Sequence, residues 1–158
     1  MRDGLIVATL VVAVDQLVKQ VVLTRLTEPV VVTDFFNLVL VWNRGVSFGM
    51  LGGLGAYGPW LLIGFALMIG VALVVWLARE TRLVTRLALG LVLGGAIGNA
   101  IDRFRFGAVV DFLDFHALGY HWPAFNVADS AIVIGAGLLV LESLRGGRST
   151  AGEVRGQI

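Results

Sequence analysis

Hydrophobic positions in this chain run together in four long blocks separated by short polar stretches. The blocks extend from about Gly4 to Thr24, Ala56 to Ala78, about Leu83 to Phe106, and about Trp122 to Leu144. A helix rises 1.5 Å per residue, so about 20 apolar residues cross the hydrocarbon of a bilayer. Each block meets that length. The second carries no charge, and the third is uncharged from Leu87 to Ile101. The pattern predicts four transmembrane helices with both termini on one side. Trp60 and Trp76 fall near opposite ends of the second block, about 24 Å apart along a helix axis. That separation suits the two interfacial aromatic belts of a membrane.

The intervening segments read differently. Residues 25–55 contain VVVT and FFNLVLVWN, then glycines, and predict short strands and turns. Residues 107–121, GAVVDFLDFHALGYH, predict a short amphipathic helix or loop lying in the interface. Residues 146–158, GGRSTAGEVRGQI, predict a disordered tail. The expected fold is a membrane all-α protein: four transmembrane helices, a small extracytoplasmic β-rich subdomain and a short interfacial helix, in one domain over residues 1–145. Arg2, Arg79, Arg82, Arg86, Arg145, Arg148 and Arg155 cluster at the termini and in the 79–86 loop. The positive-inside rule then places those segments in the cytoplasm. The N-terminus starts like a signal peptide, but Asp15, Gln16 and Lys19 stand where a small-residue cleavage site would be. It is expected to be a retained helix.

Composition narrows the chemistry. Of 158 residues, 58% are hydrophobic and 15% charged, and the net charge is +1, which offers nucleic acid no basic surface. There is no cysteine, which excludes disulfides, thiolate metal sites and a thiol nucleophile. His116 and His121 are too few for a histidine-rich metal site. No metal or cofactor is expected.

The polar residues that remain converge. In the predicted topology Asp15, Lys19, Asn99, Asp102, Arg103, Asp111 and Asp129 all reach the outer end of the bundle, as does NRGVSFG (43–49). Asp15 and Lys19 are four apart and share a helix face. They form an internal ion pair, or they hold another site residue or a lipid phosphate. Gly90, Gly94 and Gly98 form a small-residue stripe for close helix packing, while Gly95, Asn99, Asp102 and Arg103 follow an adjacent face and suggest a lined cavity. NRGVSFG reads first as a turn at the membrane surface, and alternatively as a sheet edge for an extended peptide. Asn126 or Asp129 could cap the fourth helix. Asp111 or Asp114 could be the wet face of an interfacial helix, and spacing alone does not choose between them.

Two carboxylates brought together in a poorly hydrated site share a proton. One then serves as base toward a water while the other polarises a carbonyl, which cleaves an amide without metal or thiol. A small proton-coupled membrane transporter is the rival reading, since buried acids also relay protons. A non-catalytic assembly protein using the glycine stripe is the third.

Taken in order, DQLVK, NRGVSFG, GNAIDR, VVDF and FNVADS resemble the motifs of the prolipoprotein signal peptidases, signal peptidase II. The resemblance implies a four-span bacterial inner-membrane aspartyl endopeptidase with its active site at the periplasmic face. It implies Asp111 and Asp129 as the catalytic pair, choosing Asp111 over Asp114. Asp15, Lys19, Asn43, Gly95, Asn99, Asp102, Arg103 and Asn126 would be substrate-binding or supporting residues. The family often has Thr and Ala where this chain has Arg44, Val46 and Ser47. The implied substrates are diacylglyceryl-modified prolipoproteins, cut just before the lipidated cysteine. Membrane lipid is the other expected partner, with no nucleic acid and a monomeric enzyme.

Overall fold

The structure, a computed structural model, describes residues 1–45 and 57–154, with side chains as far as residue 145. It contains α1 (Arg2–Arg25), β1 (Val30–Thr33), β2 (Phe36–Asn43), α2 (Gly58–Arg79), α3 (Leu83–Phe106), β3 (Val109–Ala117), β4 (Tyr120–His121) and α4 (Val127–Val154). Among the described residues four helices are long and apolar enough to cross a membrane, the fourth over Val127–Arg145. Their exposed faces carry Leu10, Leu17, Val21, Leu61, Phe65 and Met68. Such surfaces suit lipid, where only the hydrogen-bonded backbone must be satisfied internally.

Helix α3 is the centre, packing against α1, α2 and α4. Its glycines make this possible. A Cβ on Gly94 would come within 2.7 Å of the Ala8 carbonyl on α1, and one on Gly95 would strike Ala128 on α4. Gly135 on α4 returns the contact, with Ala88 O at 2.7 Å from its absent Cβ. Leucines complete the core beneath: Leu73 and Leu77 of α2 meet Leu89 and Leu93 of α3 beside Ala8. Close approach maximises dispersion contact where lipid leaves little hydrophobic drive between helices. At its C-terminal end α3 stops at Gly107, whose left-handed backbone (φ 68°) lets its N–H reach the Arg103 carbonyl.

The strands form one antiparallel sheet ordered β1-β2-β3-β4. Between Leu38↔Leu113 and Val41↔Asp111 the register shifts, so Val39 and Leu40 stand against Phe112 as a bulge. Phe125, just before α4, bridges to Leu113 and ties the fourth helix to the sheet.

Three expectations are corrected. Residues 107–121 form no surface helix: they are β3, a tight turn and β4. Val, Phe and Leu at alternating positions fit a pleated surface as well as an amphipathic helix, and β2 supplies the partner that decides. The fourth helix starts at Val127 instead of Trp122, because Trp122–Asn126 run extended along β3. Helix α4 also continues through Val154, into the stretch expected to be a disordered tail. Residues 46–56 of the outer β-rich segment, including Val46 and Ser47, lie outside the described residues, as do residues 155–158.

Candidate active site

The site is built on the first turn of α4. Asn126 caps the helix: its Oδ1 accepts the Asp129 N–H at 2.9 Å, and Asp129 Oδ2 accepts the Asn126 N–H at 3.3 Å. This is a reciprocal capping box, with Asp in the role usually given to Glu or Gln. The Ala128 N–H donates to Asp15 Oδ1 at 2.9 Å, so α1 satisfies another orphan donor of α4. Capping and positioning are therefore one device. The bonds that start the helix also orient the Asp129 carboxylate.

Strand β3 delivers the second carboxylate. Asn126 Nδ2 donates to Asp111 Oδ1 at 2.7 Å, and Asn43 Nδ2 to Asp111 Oδ2 at 3.0 Å. Asn99 Nδ2 donates to Asp129 Oδ1 at 2.8 Å. Each oxygen of the pair thus accepts one N–H, and Asn126 touches both residues. Burial pushes Asp111 up to about 6; the Asn43 hydrogen bond opposes this and the Asp129 charge adds to it. Asn43 is itself held in a turn, its Oδ1 accepting the Gly45 N–H at 3.1 Å. Arg103 steadies that turn by donating to the Gly45 carbonyl at 3.2 Å and to Asn99 O at 3.3 Å.

Behind the pair lies an ionic hub. Lys19 Nζ, 2% exposed as a residue, sits 2.9 Å from Asp15 and 2.8 Å from Asp102. It also donates to Asn99 Oδ1 at 3.3 Å. Asp102 Oδ2 accepts the Val110 N–H at 3.1 Å, fixing β3 next to Asp111. The hub therefore reaches both carboxylate-bearing elements, through Ala128 N–H and Val110 N–H. Counting Asp15, Asp102, Asp111 and Asp129 against Lys19 and Arg103 leaves two negative charges uncompensated if all ionise. In a low-dielectric site such an excess favours retaining a proton on the pair.

A cavity of about 780 Å3 opens beside this constellation. Asn43, Gly45, Asn99, Arg103 and Asp129 line its polar end; Leu62, Phe65, Ile69, Val92, Ile132 and Val133 line its apolar length between α2 and α4. Asp111 stands one side chain back, 1% exposed, with its partner Asn43 on the cavity wall. The arrangement places amide-polarising and proton-accepting groups at the end of an apolar slot, where an extended segment attached to an apolar helix could lie.

Every residue expected at the site is brought here, with two differences. Neither Gly95 nor Asp102 lines the cavity: Gly95 serves by admitting Ala128 of α4, next to Asp129, and Asp102 lies behind it in the hub with Lys19. Sequence reasoning missed Gln16. Its Nε2 donates to Asp102 Oδ1 at 2.9 Å and to the Gly98 carbonyl at 3.3 Å, closing the hub from the side. An amide adjoining a buried Asp inside an apolar helix was the available signal. Asp114 lies elsewhere, with Asn37 at 3.0 Å and His121 at 2.8 Å.

Known proteins are similar to this chain in sequence and in fold. The family described as signal peptidase (SPase) II, Peptidase_A8, matches residues 7–145. The chain is 50% identical over 152 residues to a lipoprotein signal peptidase of Syntrophotalea carbinolica, covering 92% of this chain and 93% of that protein. It is 49% identical over 142 residues to one from Cupriavidus necator, covering 87% and 81%. Two solved structures, each described as a bacterial membrane enzyme structure obtained by the in meso method, are similar in fold. One has TM-score 0.81 at 31% identity, covering 92% of this chain and 89% of its own. The other has TM-score 0.79 at 32% identity, covering 91% and 94%.

Proposed function

We propose, from the premise that this chain belongs to the signal peptidase II family of aspartic peptidases, that Asp111 and Asp129 are its catalytic pair. The observation that carries the assignment is the bridge through Asn126, which holds carboxylates from β3 and α4 together at the polar end of an apolar cavity. With one shared proton, the ionised carboxylate takes a proton from water as its oxygen adds to the scissile carbonyl carbon. The protonated partner donates a hydrogen bond to the carbonyl oxygen. As the tetrahedral species collapses, the C–N bond breaks and the leaving nitrogen receives a proton from the pair. The products are a peptide carboxylic acid and a free amine, which exchange a proton on release to become carboxylate and ammonium, and one proton again remains on the pair. Substrate displaces the Asn43 amide from Asp111, opening that carboxylate to the cavity.

The substrates are prolipoproteins carrying a diacylglyceryl group on the cysteine that follows the scissile bond. Acyl chains and an apolar signal helix both partition into the bilayer and would bring the bond to the depth of the pair. The α2–α4 slot has the apolar wall such a substrate requires. The positive charge at Arg79, Arg82, Arg86 and Arg145 supports cytoplasmic termini in the bacterial inner membrane and a site at the periplasmic face. The enzyme works as a monomer, with membrane lipid as its surroundings, and needs no nucleic acid, metal or cofactor. Purified enzyme should cleave a lipid-modified precursor and spare its unlipidated form, unaffected by chelators and thiol reagents. Cleavage of both forms would overturn the substrate assignment, and inhibition by a chelator would overturn the carboxylate mechanism.

A further inference from the structure

The β3–β4 connection breaks a rule of turn chemistry. Ala117 pairs with Tyr120, so Leu118 and Gly119 alone make the turn. Both have positive φ, 51° for Leu118 and 81° for Gly119. Two-residue turns of this kind favour Asn-Gly or Gly-Gly, because a larger L side chain is strained in the left-handed region. Here the strained residue is a leucine, and it is 103% exposed. Tyr120 beside it is 86% exposed. The neighbouring β1–β2 turn presents exposed Phe35, whose carbonyl accepts the His116 N–H at 2.9 Å and so places it at the same end of the sheet. An outlier of this sort is kept where the side chain has work to do.

The geometry points to the outer leaflet of the lipid bilayer as the partner of this tip. Residues 117–120, Ala-Leu-Gly-Tyr, carry no charge that would oppose insertion. The tip adjoins the extended run, beginning at Trp122, that leads into α4. Trp122, just before α4, is exposed, and exposed Trp60 of α2 packs edge-on against Phe104 of α3 at the same end. Leu118 lies four residues from Trp122, a reach of about 13 Å in extended chain. The headgroup region is itself about 5–7 Å thick on each side of the hydrocarbon. Leucine, tyrosine and tryptophan are the side chains that partition to that boundary. Insertion there would pin the far end of the strand that carries Asp111. The inference rests on the spanning helices and not on the assignment of the catalytic pair.

The absence of cysteine makes the test direct. A Leu118→Cys variant labelled with a nitrobenzoxadiazole dye is placed in vesicles of phosphatidylethanolamine and phosphatidylglycerol. Lipids bearing a nitroxide near the headgroup should quench the dye, while aqueous iodide should not. With the dye moved to a Tyr120→Cys variant, adding Leu118→Asn should raise iodide quenching several-fold, because asparagine tolerates the left-handed turn but does not enter lipid. Iodide quenching of the residue-118 dye as strong in vesicles as in free solution would overturn the proposal. So would a dye reached by neither quencher, since protein would then cover the tip.

Discussion

Asp111 and Asp114 stand on the same strand, three residues apart, and both are shielded from solvent. Because side chains alternate across a strand, they face opposite sides of the sheet. Asp111 turns toward neutral amides and a second carboxylate, with burial as the largest influence, and is pushed up to about 6. Asp114 turns toward His121 and Asn37. Burial pushes it upward too, but hydrogen bonds from those two side chains outweigh it and leave the carboxyl below its ordinary range. Identical residues thus acquire opposite proton affinities from the face they occupy. A shared-proton reaction needs the first environment, whereas the second makes a fixed anion that ties β2, β3 and β4 together.

The largest effect expected is on cleavage. Asp111→Asn should lower turnover of a lipidated precursor at least about 1,000-fold, whereas Asp114→Asn should change it by less than about threefold. Equal losses in a gel-based cleavage assay would erase the contrast. Next comes the hub. Lys19→Met leaves Asp15 and Asp102 buried without their cation, and should cost about 3–5 kcal/mol in unfolding measured in mild detergent. It also withdraws a positive charge that lowers the Asp111 pKa, so the remaining activity should have its pH profile displaced upward. An unshifted profile would mean that Lys19 is electrostatically remote from the pair.

The third prediction concerns stability and pH. The folded pKa of Asp111 lies above its unfolded value of about 3.9, so the native state favours the protonated acid. Ionisation therefore removes stability as pH rises from about 4 to about 6. Relative to Asp111→Asn, which does not titrate, the parent should lose up to about 3 kcal/mol across that window. A constant difference between the two proteins from pH 4 to 7 would refute the raised pKa. The smallest effect has the opposite sign. Asp114, with its depressed pKa, contributes stability above its unfolded pKa and loses it as pH falls through the folded one. The parent's advantage over Asp114→Asn should accordingly be present at neutral pH and vanish in acid, as read by thermal unfolding.

Much of this was legible along the chain. Expected and observed boundaries coincide for α3 at Leu83–Phe106, and they differ by no more than two residues at either end of α1 and α2. The bilayer enforces this, since a spanning segment needs both a minimum length and internal hydrogen bonds. The Asn126-x-x-Asp129 spacing also announced a helix cap, though not that the capping Asn126 would bond Asp111 as well. The β3 segment was the failure. Its Asp111 and Asp114 fit one face of a helix by spacing, and only pairing with β2, far away in sequence, sends them to opposite faces.

Sequence alone determined the four membrane helices, the glycine seam through α3 and the gathering of acids and amides at one end, because these follow from local length, composition and period. Tertiary structure decided which carboxylates meet, that Asn126 joins them, and that Gln16 and Lys19 support them from α1. Those outcomes depend on register between strands and on the approach of helices distant in the chain. A contact between such elements has no local period that could reveal it.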